Sequence, residues 1–110
     1  MIEVRYNIKE CWLEVKGHAK YAPVGHDIVC AGASTLAFTL AESLLGLLEY
    51  QTCYPEYTFD KGDASIRYFP KEDLRRYTDI VFVSILKGFE VLEKNHPNNI
   101  KILGSGLEMV

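Results

Sequence analysis

The stretch at residues 17–34 constrains this chain most, because it joins a strand pattern to a long helix through a short loop. Alternating polar and apolar residues lead into it, and Asp27 stands directly before a long run of apolar and small residues. Aspartate is a preferred N-cap, so we expect a helix to begin at Ile28. Cys30 then lies in the first turn of that helix, where the helix dipole favours negative charge.

A cysteine in this position is a candidate nucleophile, because the helix dipole and free amides favour the thiolate. It also needs an imidazole within reach. His18 ends the preceding strand pattern, and His26 lies four residues before Cys30. Packing is the alternative, since cysteine is among the most buried residue types. The residues alone leave open both the role of Cys30 and the choice of histidine.

Several residues near Cys30 allow more than one interpretation. Asp27 is either the helix N-cap, which we favour, or a third catalytic residue that orients an imidazole. Ser34 lies one turn after Cys30 and either lines the site or bonds back to a helix carbonyl. Ala31 is a further candidate for lining the site, whereas Gly32 and Ala33 permit either a close substrate backbone or tight helix packing.

The loop between the strand and the helix is a candidate lid. It is bounded by Gly17 and Gly25 and contains Tyr21. Loops of this kind often close over an active site and exclude water from it. The other two cysteines are expected to be structural or incidental: Cys11 shares a strand face with apolar residues, and Cys53 lies in a link after the helix. His96 is expected to be a surface residue at a helix end.

Composition narrows the function classes. The 110 residues are 48% hydrophobic and 25% charged, as expected for a single domain over residues 1–110. A net charge of -3 argues against direct nucleic-acid binding. Three cysteines without a CxxC pair predict neither a disulfide framework nor a metal site, and they favour a reducing cytoplasm. We expect no signal peptide, no membrane span and no cofactor; polar residues interrupt the apolar run Ile28–Leu48.

Hydrophobic periodicity predicts two hairpins and two helices. Period-two alternation marks a first hairpin over residues 2–15 and a second over 57–69, with a turn at 60–63. The first helix is predicted from Ile28 to about Tyr50, central and mostly buried apart from one narrow polar stripe. A second helix follows Pro70 and ends near Asn95, and residues 100–103 form a possible last strand. The apolar face of the second helix is predicted to consist of Leu74, Tyr77, Val81, Ile85, Phe89 and Leu92. The predicted fold is α+β, ββαββα(β), with a mixed or antiparallel sheet.

The motif Gly17-His18-Ala19, followed by Gly25, Asp27-Ile28-Val29-Cys30-Ala31 and Ser34, resembles the ribosomal-processing cysteine protease family. The length and the order of elements are also similar to that family, so the resemblance covers essentially the whole chain. The resemblance implies a cysteine endopeptidase in which His18 pairs with Cys30. His26 departs from the pattern and leaves some ambiguity about the base.

The resemblance further implies a substrate and an assembly. Members of the family remove an N-terminal extension from a large-subunit ribosomal protein, and phage relatives cut capsid or scaffold proteins. They are homodimers with a mobile loop over the site. For this chain we therefore expect attack by Cys30 and proton transfer by His18. We also expect the first-turn amides around Cys30 to stabilise the oxyanion, because they point at negative charge. The competing hypothesis is a non-catalytic, ribosome-associated peptide-binding module that uses the same groove.

Overall fold

Two hairpins, two long helices and a short last strand form the α+β fold. The computed structural model describes residues 1–19, 21–23 and 27–104. Within them the elements are β1 (Ile2–Asn7), β2 (Trp12–Lys16), α1 (Ile28–Leu48), β3 (Cys53–Asp60), β4 (Asp63–Pro70), α2 (Arg75–Asn95) and β5 (Ile100–Ile102). The predicted order of elements is confirmed, and the possible last strand is present.

The five strands form one mixed sheet in the order β3-β4-β2-β1-β5. Only β1 and β5 are parallel, and the other neighbours are antiparallel. Val4, Leu13 and Ile66 are buried on one face of the sheet, which both helices cover, whereas Glu3 and Arg5 point to the opposite, exposed face. The period-two alternation in the sequence therefore reports the two sides of this sheet.

Helix α1 is buried along one face only, which corrects the prediction of a mostly buried helix. The predicted polar stripe is exposed, but Ile28 and Phe38 are also 60% and 51% exposed. By length and composition α1 would also qualify as a membrane span. Its contacts with α2 and β3 make it part of this folded domain instead. Of these two exposed apolar residues, Phe38 lies on the side of α1 that carries Cys30 and Ser34, and all three line one cavity.

Helix α2 begins later than Pro70 suggested, after a 3-10 turn at Glu72–Leu74. Its buried face is also rotated from the predicted one: Tyr77 is 44% exposed, whereas Phe82 and Leu86 are fully buried. Buried residues recur at spacings of three and four along α2, which is the period of a helix lying on a core. Burying a side chain as large as Phe82 contributes about 1.5–3 kcal/mol relative to leaving it exposed.

Strand β3 begins four residues earlier than predicted, so Cys53 is a buried strand residue and not part of a link. Pro55 interrupts the sequence pattern because proline cannot donate to a strand ladder. It is tolerated here because β3 is an edge strand. Cys11 is buried as expected, but it lies in the β1–β2 turn with a φ of 62° and precedes β2.

Candidate active site

Asp27 is the N-cap of α1 and also holds the loop before it. Its Oδ1 accepts the amides of Val29 and Cys30, both at 3.0 Å. Its Oδ2 accepts the amides of Tyr21 and Ala22 at 3.0 and 3.4 Å. Desolvation raises the pKa of Asp27, but the four amides together outweigh it and hold the pKa below its usual value of 3.8. Among the described residues no hydrogen bond joins Asp27 to His18, so the structure supports the cap.

This cap changes the expected oxyanion site. The amides of Val29 and Cys30 point at the Asp27 carboxylate, and the amide of Ala31 bonds to the Asp27 carbonyl at 3.1 Å. These amides are therefore already satisfied inside the first turn. The Asp27 side chain accepts the first two of these amides and its backbone carbonyl accepts the third, so none of the three is free to bind an oxyanion as the sequence led us to expect.

Replacing Asp27 by asparagine separates its role as the N-cap of α1 from its role in holding the loop before the helix. The remaining oxygen can still accept the Val29 and Cys30 amides, but an NH2 group cannot accept those of Tyr21 and Ala22. Folding lowers the pKa of Asp27, so its carboxylate stabilises the fold at pH values above the unfolded pKa of 3.8. This stabilisation is lost as the pH falls through the lower pKa of the folded state. We expect Asp27→Asn to unfold at a lower temperature than the parent at neutral pH.

The difference in unfolding temperature should shrink as the pH falls below about 4, as measured by thermal unfolding monitored by circular dichroism. Asp60→Asn is the matched control, because the Asp60 carboxylate accepts no hydrogen bond from the described residues. A difference for Asp27→Asn that stays constant down to about pH 2 would contradict this role of the carboxylate.

Cys30 presents a partly exposed thiol at the beginning of α1. Its Sγ accepts a hydrogen bond from the backbone N–H of Ala19 at 3.3 Å. This contact joins the segment that carries His18 to the helix that carries Cys30, across 11 positions of the chain. The other two cysteines have different surroundings: burial raises the pKa of Cys11 and that of Cys53, so both thiols are held in the neutral form.

His18 directly precedes Ala19, and its exposed imidazole lies over the β3–β4 turn. A Cβ atom at Gly62 would lie 2.8 Å from His18 Nε2, so any other residue there would displace the ring from this position. Gly62 also has a φ of 76°, which glycine adopts without strain. The Gly17 N–H donates to the Gly62 carbonyl at 2.9 Å and ties the two segments together.

His18 and Cys30 line the same cavity, which has a volume of about 500 Å³. It lies between the first half of α1, the end of β2 and the β3–β4 turn. One wall carries the rings of Phe38 and Phe59, stacked with centroids 4.3 Å apart. Asp27 and Gly62 also line the cavity. The candidate nucleophile and the candidate base thus share one cleft. The cleft is mostly apolar, as ligand sites usually are.

Ser34 and Ala31 line this cavity too, and both are exposed. The hydroxyl of Ser34 makes no hydrogen bond with the described residues, whereas Thr35 beside it bonds back to the Ala31 carbonyl at 2.8 Å. The site-lining interpretation of Ser34 therefore fits the structure better than the back-bonded one. Gly32 faces α2, where a Cβ atom would lie 3.3 Å from Leu92, so its small size serves helix packing.

The loop after His18 is only partly described. The ring of Tyr21 packs edge-on against that of His96, with centroids 5.1 Å apart. His96 is the C-cap residue of α2 and is half-buried, so it is more than the simple surface residue expected. Gly25 and His26 lie outside the described residues. The proposed lid therefore stays a prediction.

The sequence did not indicate Asn99, which lies between α2 and β5. Its Nδ2 donates to the carbonyl of Ala19 at 3.0 Å, across 80 positions of the chain. No local pattern marks a contact between residues so distant in sequence. For Gly62 a signal did exist, since Lys61-Gly62 is a two-residue turn between predicted strands. Among the described residues no group of three or more metal-ligating side chains occurs.

Known proteins similar in sequence to this chain match it over about four fifths of its length. The ribosomal processing cysteine protease Prp of Staphylococcus aureus strain Mu50 is 26% identical over 86 residues, which are 78% of either chain. The protein of the same name from Bacillus subtilis strain 168 is 25% identical over 95 residues, covering 81% of this chain and 80% of that one.

The fold is shared with solved structures as well. A crystal structure of an essential ribosomal processing protease Prp from S. aureus, with a covalently linked product peptide, superposes with a TM-score of 0.76 at 24% identity. The match covers 94% of this chain and 97% of that one. The sequence model of the family described as cysteine protease Prp matches residues 1–101, and the cleft built around Cys30 and His18 lies within that range. This chain therefore belongs to the cysteine protease Prp family and is a cysteine protease.

Proposed function

We propose that this chain is an endopeptidase in which Cys30 is the nucleophile and His18 the general base and acid. The observation that carries the proposal is the shared cavity: Cys30 Sγ and the imidazole of His18 line the same cleft, and the sulfur already accepts the Ala19 N–H. A thiolate near a helix N-terminus with an imidazole in the same cleft is the arrangement that nucleophilic cysteine chemistry requires.

In the first half of the reaction His18 takes the proton of the Cys30 thiol. The thiolate attacks the scissile carbonyl carbon, a C–S bond forms, and the carbonyl electron pair moves onto oxygen. The oxyanion then collapses, the C–N bond breaks, and the leaving amine takes the proton from the His18 imidazolium. The product is a thioester on Cys30 and a free new N-terminus.

In the second half a water molecule gives a proton to His18 and attacks the thioester carbonyl. The C–S bond breaks, the acid product leaves, and the proton returns to the sulfur or is shared with the imidazole. Because Asp27 occupies the amides of Val29 and Cys30, the oxyanion needs other donors. In this proposal they are the Ala19 N–H beside the sulfur and the Ser34 hydroxyl, which has no partner among the residues that the structure describes.

The proposed substrate is the N-terminal extension of a large-subunit ribosomal protein. Its support is the family membership and the curated relatives from S. aureus and B. subtilis, which are named for ribosomal processing. The stacked rings of Phe38 and Phe59 add an apolar wall suited to apolar side chains of an extended peptide. A phage structural protein is the alternative substrate within the same chemistry.

The test is to incubate the purified chain with two proteins separately: the host ribosomal protein carrying its N-terminal extension, and a capsid protein encoded near the gene. Mass spectrometry of the new N-termini then locates the cleaved bond. We expect a single cut that removes the ribosomal extension. A cut in the capsid protein alone would overturn the ribosomal assignment, and tight binding of either protein without any cut would favour the peptide-binding module.

We also propose that the protein acts as a homodimer in a reducing cytoplasm. The three unpaired cysteines support the compartment. The resemblance to a family of homodimers supports the assembly, and the exposed apolar side chains of Ile80 and Val91 on α2 are suited to an interface. Light scattering after size exclusion is expected to give twice the chain mass of 12.5 kDa, and a mass of one chain would refute the dimer.

A further inference from the structure

The backbone of Ala19 is held from both sides. Its N–H donates to Cys30 Sγ at 3.3 Å, and its carbonyl accepts the Nδ2 of Asn99 at 3.0 Å. The residue itself is buried, with 2% of its surface exposed. Two residues before Ala19, on the other side of His18, the Gly17 N–H donates to the Gly62 carbonyl. The segment that carries His18 is thus fixed at both of its ends.

Asn99 is itself rigidly placed. Its backbone N–H donates to the carbonyl of His96 at 3.0 Å, and its carbonyl accepts the N–H of Ile2 at 2.9 Å. It therefore joins the end of α2 to the beginning of β1 through its backbone. This leaves its side-chain amide to reach the segment around Ala19. A side chain on a backbone fixed in this way loses little further freedom when it binds a carbonyl.

We propose that Asn99 is a positioning residue for the reaction at Cys30, acting through Ala19. By holding the Ala19 carbonyl, Asn99 keeps the Ala19 N–H directed at the sulfur, where it stabilises the thiolate. When the thiolate attacks the scissile carbonyl carbon of the substrate, negative charge passes to the carbonyl oxygen. In this proposal the Ala19 N–H then donates to that oxygen. The inference rests on the proposed function, in which Cys30 is the nucleophile.

The test uses three variants of the full chain. Asn99→Ala removes the donor, and Asn99→Asp keeps the shape but offers a carboxylate that cannot donate to a carbonyl at neutral pH. Asn95→Ala is the matched control, because the Nδ2 of Asn95 also donates to a backbone carbonyl, that of Val91 at 3.0 Å, but on the exposed end of α2. The first measurement is the rate of Cys30 alkylation by iodoacetamide between about pH 5 and 10.

Mass spectrometry of the Cys30 peptide separates its alkylation from that of Cys11 and Cys53. We expect the curve of rate against pH to move up by about one pH unit in both Asn99 variants and to stay in place in Asn95→Ala. With a cleaved peptide substrate, kcat should fall roughly tenfold in the Asn99 variants, with KM changed less than about twofold. Thermal unfolding of all three variants records any general loss of stability.

An Asn99 variant with lowered thermal stability but an unmoved alkylation curve would assign Asn99 a merely structural role and overturn the proposal. An alkylation curve that moves by the same amount in Asn95→Ala would also overturn the proposal. Alkylation needs no substrate, so it is independent of the proposed protease activity. If Cys30→Ala abolishes cleavage but the Asn99 variants alkylate like the parent, the proposed function stands and this inference fails.

Discussion

Replacing Cys30 by alanine is expected to lower the rate of peptide cleavage by about 10⁴-fold or more. The reason is chemical: without the sulfur no thioester forms, and the remaining cleft can only bind and polarise the substrate. Because Cys30 is partly exposed, the fold should survive the change. Cleavage is measured as kcat/KM by liquid chromatography, and circular dichroism checks the fold.

Cys53→Ala is the matched control for this prediction. It also removes a thiol, but one buried in β3 and bonded to the Leu44 carbonyl at 3.6 Å. We expect its cleavage rate to stay within about threefold of the parent, with a modest loss of stability from the lost packing. Undiminished cleavage by Cys30→Ala would remove the basis of the proposed mechanism, whatever the control does.

Replacing His18 by alanine is expected to lower the rate of cleavage by about 10²–10⁴-fold, because His18 transfers the proton between sulfur and leaving amine in the proposed mechanism. His26→Ala, measured beside it, is expected to stay within a few-fold of the parent. The two rates are compared over the pH range in which an imidazole titrates. Loss of activity in His26→Ala alone would show that the base has been assigned to the wrong histidine.

Gly62→Ala tests the position of the imidazole while keeping it present. The new Cβ atom would lie 2.8 Å from His18 Nε2, and the φ of 76° adds strain for any residue but glycine. We expect about a tenfold loss in kcat from displacement of the ring. A rate equal to the parent would mean that the place of the ring over the β3–β4 turn is immaterial to catalysis.

Local patterns predicted the elements well where packing does not compete with them. The alternation in β1 and β2, the turn before Asp63 and the Asp27 cap all depend on neighbours within a few residues. The errors occurred where distant parts of the chain decide. Tyr77 fits the helical period as well as Thr78 does, and only the position of α2 on the sheet selects which of them is buried.

The sequence around Asp27 and Cys30 also predicted the helix cap correctly, but it did not predict which backbone amides the cap occupies. Aspartate before a helix implies a cap, and a cap uses up amides of the first turn. In the structure the Asp27 carboxylate accepts hydrogen bonds from four backbone amides. Two of these are the amides of Val29 and Cys30, which are therefore not free to bind an oxyanion. That exclusion depends on side-chain geometry, which spacing along a chain does not express.

The sequence alone determined that a cysteine stands at the start of a capped helix, preceded by a histidine and a glycine-bounded loop, because these features follow from neighbouring residues. Only the tertiary structure decided that His18 and Cys30 share one cleft, that Gly62 makes room for the imidazole, and that Asn99 holds Ala19 from 80 positions away. The physical reason is that such contacts form between segments brought together by the sheet and the helix packing. Their distances in space bear no relation to their separation along the chain.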